Sequence, residues 1–396
     1  MDTTENRVVR FGIVGIGNMG SAHAMNLYKG RVRGGVLTAV CDTDPLRLEF
    51  AKEHFPEVAR FSDHLSMFGS GLVDAVIIAT PHYFHPPIAI SAFESGLNVM
   101  TEKPAGVCCS AVLDMNRAAE KSGMKFGIMF NQRTDPLFIK AKKTVESGAL
   151  GVPKRLSWII TNWYRTQSYY NSGSWRGTFS GEGGGVLLNQ APHNLDILQW
   201  IFGMPQRVFA TCDEGHYHDV EVEDRATIIM DYANGAQAQF VTTTGEYPGT
   251  NRLEIVGDRG KLVIESGKIT FYMLDFSERE YCFSATDSSC TIKPTVGEYT
   301  ADPVPNAHAE VLSAFAMSIL NDTPPIADGR EGINMLTLAN AAYLSSWTGS
   351  WVDLPMDNAL FDDMLAKKRE TSVKAASATA ASNANGEISG RWRVNW

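Results

Sequence analysis

The stretch Val99-Met-Thr-Glu-Lys-Pro-Ala-Gly106 ends an apolar run in Glu102, Lys103 and Pro104. Most lysines are solvated surface charges, and a plain Glu-Lys pair is the unremarkable reading. A lysine held at a strand end and shielded from water can instead lose its proton and act as a base toward a hydroxyl. A second titratable group, His193, follows the glycine-rich GEGGGVLLNQAP and is itself followed by Asn194, Leu195 and Asp196. On a continuous helix Asn189, His193 and Asp196 would share one face, with Leu187, Leu188, Ala191, Leu195, Leu198 and Phe202 as the buried stripe. Pro192 removes a backbone donor, so the helix should kink or restart there and leave His193 at a bend. A lone histidine on such a helix is equally well a hydrogen-bonded core residue.

Groups of this kind need a scaffold, and the first third of the chain reads as one. FGIVGIGNMG places Gly15, Gly17 and Gly20 as G-x-G-x-x-G, with Ile16, Asn18 and Met19 between them, after a strand and before the helix-forming NMGSAHAMNLYKG. Glycines there permit a tight turn and the close approach of a pyrophosphate to backbone N–H groups at a helix N-terminus. The next strand, VLTAVCD, ends in Asp42, whose carboxylate can accept from both adenosine ribose hydroxyls and would repel a 2′-phosphate, so NAD is expected over NADP. The apolar runs continue through VDAVIIAT, GLNVMTEK and KFGIMF, an alternation that implies βαβ units and a parallel sheet with helices on both faces. Ligands of such sheets bind at the carboxyl edge. Thr80, Pro81, His82 and His85 come at or just after the end of VDAVIIAT there, Lys103 at the end of GLNVMTEK, and Asn131 just after KFGIMF. One of the two histidines is expected at the cofactor and the other in a solvated loop; with no third ligand at useful spacing they imply no metal.

Past residue 153 the texture changes to period-2 strands separated by turn signals: RVFATCD, RATIIMDY, AQAQFVTTT, NRLEIVG, KLVIE and KITFYML, with Ala-Asn-Gly and Asp-Arg-Gly between. These imply one large, mainly antiparallel sheet. Helices are expected near 306–321 and 329–347, returning to the first domain or the interface. The expected division is a dinucleotide-binding domain over 1–132, an α+β domain over 133–355, and a C-terminal extension over 356–396. The extension is small and polar after about residue 370 and ends in RWRVNW, whose Trp392 and Trp396 suggest docking on a surface. His216 and His218 in HYHD precede the acidic DVEVED, which reads as a solvated, partly paired strand rather than a metal site.

The 396 residues are 44% hydrophobic and 20% charged, ordinary for a globular protein of two domains. A net charge of −9 argues against a nucleic-acid partner. No run approaches the ~18 apolar residues of a membrane helix, and MDTTENRVVRF carries no signal-like stretch, so a cytoplasmic protein without a membrane partner is expected. The six cysteines form no C-x-x-C and read as reduced, mostly buried thiols.

Taken together, the G-x-G-x-x-G loop, EKP and the GGG…H segment resemble the Gfo/Idh/MocA oxidoreductases over about residues 8 to 355. The resemblance implies a Rossmann domain carrying NAD and an α+β domain whose open sheet receives a sugar or cyclitol. It makes Lys103 the catalytic lysine, places Glu102 and Pro104 on the cofactor side, and matches His193 to the family's active-site histidine. Family members often carry an aspartate where this chain has Asn189, so proton transfer should rest on Lys103 and His193 with Asn189 holding a substrate hydroxyl. The segment NWYRTQSYYNSGSWRGTF adds substrate-site candidates Tyr164, Arg165, Tyr169, Tyr170, Trp175 and Arg176, since sugars are held by ring faces and fixed polar donors. In the family Trp175 and Arg176 look like a cofactor- and substrate-facing pair. The implied activity is NAD-dependent oxidation of a secondary hydroxyl of a sugar, glycoside or cyclitol, or the reverse, in a homodimer or homotetramer. A redox-neutral, NAD-dependent glycoside-cleaving enzyme and a non-catalytic NAD-responsive regulator are the competing readings.

Overall fold

The computed structural model describes residues 7–289 and 292–372. The RWRVNW terminus and Cys290 lie outside the described residues.

Six short strands, β1 (Val9–Val14), β2 (Gly35–Cys41), β3 (Ala59–Phe61), β4 (Ala75–Ile78), β5 (Asn98–Thr101) and β6 (Phe126–Ile128), form one sheet in the order β3-β2-β1-β4-β5-β6. Every pairing is parallel. This is the doubly wound arrangement, whose order reverses between β1 and β4 and opens a crevice at the carboxyl ends of those strands. β1 and β4 are apolar almost throughout because helices cover both faces.

The second sheet has nine strands: β7 (Pro153–Ile160), β8 (Arg207–Glu214), β9 (Glu223–Asp231), β10 (Gln237–Thr243), β11 (Asn251–Gly257), β12 (Gly260–Glu265), β13 (Lys268–Met273), β14 (Thr295–Thr300) and β15 (Val352–Asp353). Their order is β14-β13-β12-β11-β7-β10-β9-β8-β15. The sheet is antiparallel except that β7 and β10 run parallel at its centre. β8 and β9 alternate buried and open positions, so one face packs on helices and the other is left uncovered. The expected α/β fold with a large, open, mainly antiparallel second sheet is what the chain adopts.

The helix Ala307–Asn321 returns to the first sheet, where Val311, Leu312, Phe315 and Ala316 join the core around Phe11 and Ile13. The helix Gly332–Thr348 lies under the second sheet, its Ser345 and Ser346 hydroxyls accepting from the Ala210 and Cys212 N–H groups. A further helix, Asn358–Glu370, buries Phe361 and Leu365 and stacks Phe361 on Trp347. Where the chain passes between the sheets, Arg133 binds Asp196 through two hydrogen bonds of 2.8 and 2.7 Å, and both are shielded from water. Among the described residues no helix is long and apolar enough to cross a membrane. Cys41, Cys109 and Cys212 are buried free thiols, while Cys108 is half-buried and Cys282 exposed.

Candidate active site

β5 ends at Thr101, and Glu102 turns inward, where its carboxylate is 5% exposed. One oxygen lies 2.7 Å from His23 Nε2, on the first helix after the glycine loop, and the other accepts the Lys103 backbone N–H at 3.1 Å. Burial pushes the Glu102 carboxyl up, but the His23 hydrogen bond and charge, with His308 and Lys103 behind them, hold it at about 2. This pins the main chain at Lys103. Its side chain crosses to the second domain, where Nζ donates to the Asn189 carbonyl at 2.8 Å. Burial pulls the Lys103 amine below the ordinary lysine range; Glu102 and Glu182 oppose that, and Arg165 and Arg176 reinforce it.

Asn189 does not share a helix face with His193. The helix begins at Pro192, in whose first turn the missing N–H costs nothing, and Asn189 stands in the turn before it. Leu187 and Leu188 are buried all the same, in that turn and not on a helical stripe. His193 presents its ring edge-on to Phe130 at 6.4 Å, and its Nδ1 is buried without a partner. Burial, then the Lys103 charge, pushes this imidazole well below its ordinary range, so it is neutral near pH 7. Asp196 points away, into the Arg133 pair and the Gln199 amide.

The wall facing Lys103 is built on Tyr169. Its hydroxyl accepts from Arg176 at 2.6 Å and from the Asn189 and Gln190 side-chain amides at 3.2 Å each. The Arg165 and Arg176 guanidinium groups lie over the Tyr169 ring, and Arg176 also lies over Trp175. Trp175 meets His82 edge-on. Tyr170 differs from expectation: it is buried and its hydroxyl is bound to Thr244 at 2.8 Å, so it supports the wall from behind. Tyr164 is exposed beside Tyr247 and, with Arg165, Gln167, Tyr217 and His218, lines an open cavity of about 300 Å³. His218 belongs to the wall too, its ring nitrogens 2.9 Å from Asp224 and from the Arg165 carbonyl. Glu223 and Asp224 are buried, contrary to the solvated strand expected of DVEVED, because each gathers backbone N–H groups of neighbouring turns. Among the described residues no group of three or more His, Cys, Asp or Glu side chains is placed to hold a metal.

The residues at the carboxyl edge fit a dinucleotide. A side chain at Gly20 would overlap the Gly15 carbonyl, and Gly15 itself has φ +91°, which only glycine adopts freely. A Cβ at Gly17 meets nothing within 4 Å, so the space in front of it is open. The helix Asn18–Tyr28 starts with no side-chain cap and no acid in its first turn, leaving its N–H groups, including those of Asn18 and Met19, for an anion. Asp42 is half-buried at the end of β2, accepting the Ile16 N–H at 2.7 Å and the Asp44 N–H at 2.9 Å. Two bonds leave carboxylate lone pairs free for ribose hydroxyls. Thr80 Oγ1 and Asn131 Oδ1 are buried without partners on the same edge. Neither His82 nor His85 is solvated. His85 is clamped 2.8 Å from both the Pro104 and Thr80 carbonyls, and His82 reaches the Glu182 carbonyl at 2.9 Å.

Four residues that the motifs left unmarked converge here. His23 was legible only as part of a helix, although three residues after Gly20 it must face the sheet. His308 brings its ring to 5.8 Å from His23. Gln132 leaves a buried Oε1 without a partner. Glu182, inside GEGGG, is withdrawn from solvent: its carboxylate accepts the Gly177 N–H at 2.7 Å and the Asn189 side-chain amide.

Residues 9–130 match the model of an oxidoreductase family with an NAD-binding Rossmann fold, and residues 138–263 match the Gfo/Idh/MocA C-terminal domain. The chain is 25% identical over 345 residues to myo-inositol 2-dehydrogenase of Thermotoga maritima, covering 85% of this chain and 96% of that one. It is 31% identical over 274 residues to inositol 2-dehydrogenase of Rubrobacter xylanophilus, covering 65% and 71%. Among solved structures, the WlbA dehydrogenase from Chromobacterium violaceum, in complex with NADH and UDP-GlcNAcA, superposes with a TM-score of 0.75 at 27% identity over 90% of this chain and 99% of that one.

Proposed function

Because the chain belongs to the Gfo/Idh/MocA family of NAD-binding oxidoreductases, we propose that it is a dehydrogenase that oxidises a secondary hydroxyl of a sugar, glycoside or cyclitol to a ketone, or runs the reverse reduction. The observation that carries this reading is the Lys103 amine, brought from the cofactor edge of the first sheet to 2.8 Å from the Asn189 carbonyl in the second domain. Relatives named for inositol, and a similar structure holding an acidic amino sugar nucleotide, favour a polyol-like substrate.

The chemistry supplied by bound NAD is hydride acceptance at the nicotinamide ring. Gly15 to Gly20, Asp42, Thr80 and Asn131 would hold the dinucleotide. In the oxidative direction Lys103, whose burial favours loss of its proton, takes the substrate hydroxyl proton in its neutral form as the C–H bond breaks, and becomes an ammonium ion that returns the proton to water. His193, neutral and with Nδ1 unpaired, orients a hydroxyl by accepting or donating one hydrogen bond. Asn189, Tyr169, Arg165, Trp175 and Arg176 fix the ring. In this reading the enzyme is cytoplasmic and homo-oligomeric, pairing through the uncovered face of the second sheet, where Ile159 of β7 is 42% exposed.

NADH absorbance, followed with purified protein and NAD⁺ over a panel of monosaccharides, glycosides, inositols and their acids, tests the reading. Turnover of one class, reduced by about 10²–10⁴-fold in Lys103→Met, is the expected result. NADH formation that survives the substitution removes Lys103 from the chemistry. Release of an aglycone without net NADH points to a redox-neutral lyase instead.

A further inference from the structure

Two carboxyls act on the charge of Lys103. Glu102 is consumed by His23 and by the Lys103 N–H. Glu182 is different. It is 1% exposed, yet its side chain receives only the Gly177 N–H and the Asn189 amide. The cations that feel it are engaged elsewhere, Arg176 on the Tyr169 hydroxyl at 2.6 Å and Lys103 on the Asn189 carbonyl at 2.8 Å. A carboxylate buried without a contact cation is expensive, and packing alone does not call for one.

Asn189 links the two groups. Its side-chain amide holds Glu182 and its main-chain carbonyl holds the Lys103 amine. A carbonyl accepts from an ammonium and from a neutral amine alike, so this contact leaves the protonation of Lys103 to the surrounding field. That field comes from every side of the cleft: Glu102 on the same loop, His82 and His85 after β4, Arg165, Arg176 and Glu182 on the facing wall, His193 on its helix and His308 on the Ala307–Asn321 helix. Burial pushes all four histidines below their ordinary range. Burial pushes the Glu182 carboxyl up, while Arg176, the Gly177 N–H, the Asn189 amide and Lys103 favour its ionised form, in which it stands with Glu102 against the two arginines.

We propose that Glu182 is a positioning and charge-setting residue for Lys103: through Asn189 it fixes where the amine sits, and its negative charge sets the pH at which the amine gives up its proton. The assignment rests on the reading of Lys103 as the proton acceptor. Without the Glu182 charge the two arginines act unopposed on that side, and the amine sheds its proton at lower pH.

The test is a titration of the Lys103 side chain by NMR in protein carrying isotopically labelled lysine, with no substrate present. Its resonance is assigned by its loss in Lys103→Met. In Glu182→Gln the midpoint falls by roughly one pH unit, as expected when a nearby opposite charge is removed. In the double variant Glu182→Gln with Asn189→Asp the same hydrogen bond runs in reverse, amide to carboxylate, and the charge returns to within a side chain's length. There the midpoint recovers toward wild type. With an oxidisable polyol, the rising acid limb of kcat/KM moves down and back in step. An unmoved midpoint in Glu182→Gln, or a fall that the double variant does not reverse, overturns the assignment. If Glu182→Gln does not fold, Glu182→Asp, which keeps the charge but withdraws it by one methylene, should lower the midpoint by less than about one unit, and an unmoved midpoint overturns it. A midpoint that moves as expected in a protein that oxidises no polyol leaves Glu182 in place and removes the dehydrogenase reading.

Discussion

His23 Nε2 lies 2.7 Å from Glu102 Oε1, and both side chains are withdrawn from water. The pair joins the first helix after the glycine loop to the residue before Lys103, so the glycine-rich loop and the loop carrying Lys103 are braced against each other. Glu102 sits at about 2, below the ordinary carboxyl range, so it binds fewer protons folded than unfolded. Its contribution is therefore full above an unfolded value near ~4.3 and is lost as pH falls toward about 2. Glu102→Gln should cost about 3 kcal/mol at pH 7, within the span for breaking a buried pair. Thermal or urea unfolding at pH 7, 4.5 and 3 checks this. The gap between wild type and variant must shrink at the acid end; a gap that stays constant would show that the charge on Glu102 does not matter.

Gly17 separates cofactor binding from folding. Its φ of −73° is open to any residue, and an added Cβ touches nothing within 4 Å. Gly17→Ala should thus leave stability within about 0.5 kcal/mol of wild type. The methyl would stand where a pyrophosphate must approach the helix N–H groups. NADH affinity, measured by fluorescence titration, should fall at least about tenfold, the loss of one good charge-assisted contact. Unchanged affinity would place the dinucleotide elsewhere. Gly20→Ala is no substitute for this test, since its Cβ overlaps the Gly15 carbonyl and disturbs the loop itself.

Local patterns carried much of the reading. The glycine loop, Asp42 and Lys103 are legible because each motif lies within one strand-turn unit, and Pro192 announces the start of its helix. The parallel contact of β7 with β10 is not, because β8 and β9 come between them in the chain and the pairing leaves no mark on either. Glu223 looks like a solvated charge for the same reason: the Gly185 and Leu187 N–H groups that make its burial tolerable come from a distant turn. Glu182 and Asp224 are satisfied by nearer turns, but only the folded loop shows which N–H groups point inward. One of His82 and His85 reads as a solvated loop residue because the partners of both are main-chain carbonyls, which have no sequence signature. Tyr170 counts as a sugar contact by type, and only its distance to Thr244 shows it facing inward.

Glu223 offers the opposite sign to Glu102. It is 1% exposed, and its carboxyl accepts the Gly185 and Leu187 N–H groups at 2.8 Å each and the Tyr343 hydroxyl at 2.7 Å. Burial pushes it up, those donors pull it back, and it settles at about 7. A carboxyl raised on folding binds more protons folded than unfolded, so stability falls as pH rises from the unfolded value near ~4.3 through about 7. Glu223→Gln has no proton to lose. It also turns an N–H toward a donor, a pH-independent loss of about 1–3 kcal/mol. The slope is therefore the test and not the offset. Between pH 4.5 and 7 the advantage of wild type over Glu223→Gln in urea unfolding should decline by about 3 kcal/mol. Because Gly185 and Leu187 lead into Asn189, whose carbonyl holds Lys103, the variant should also lower kcat more than it changes KM. Parallel stability curves across that range would mean that Glu223 stays ionised throughout, satisfied by its three donors.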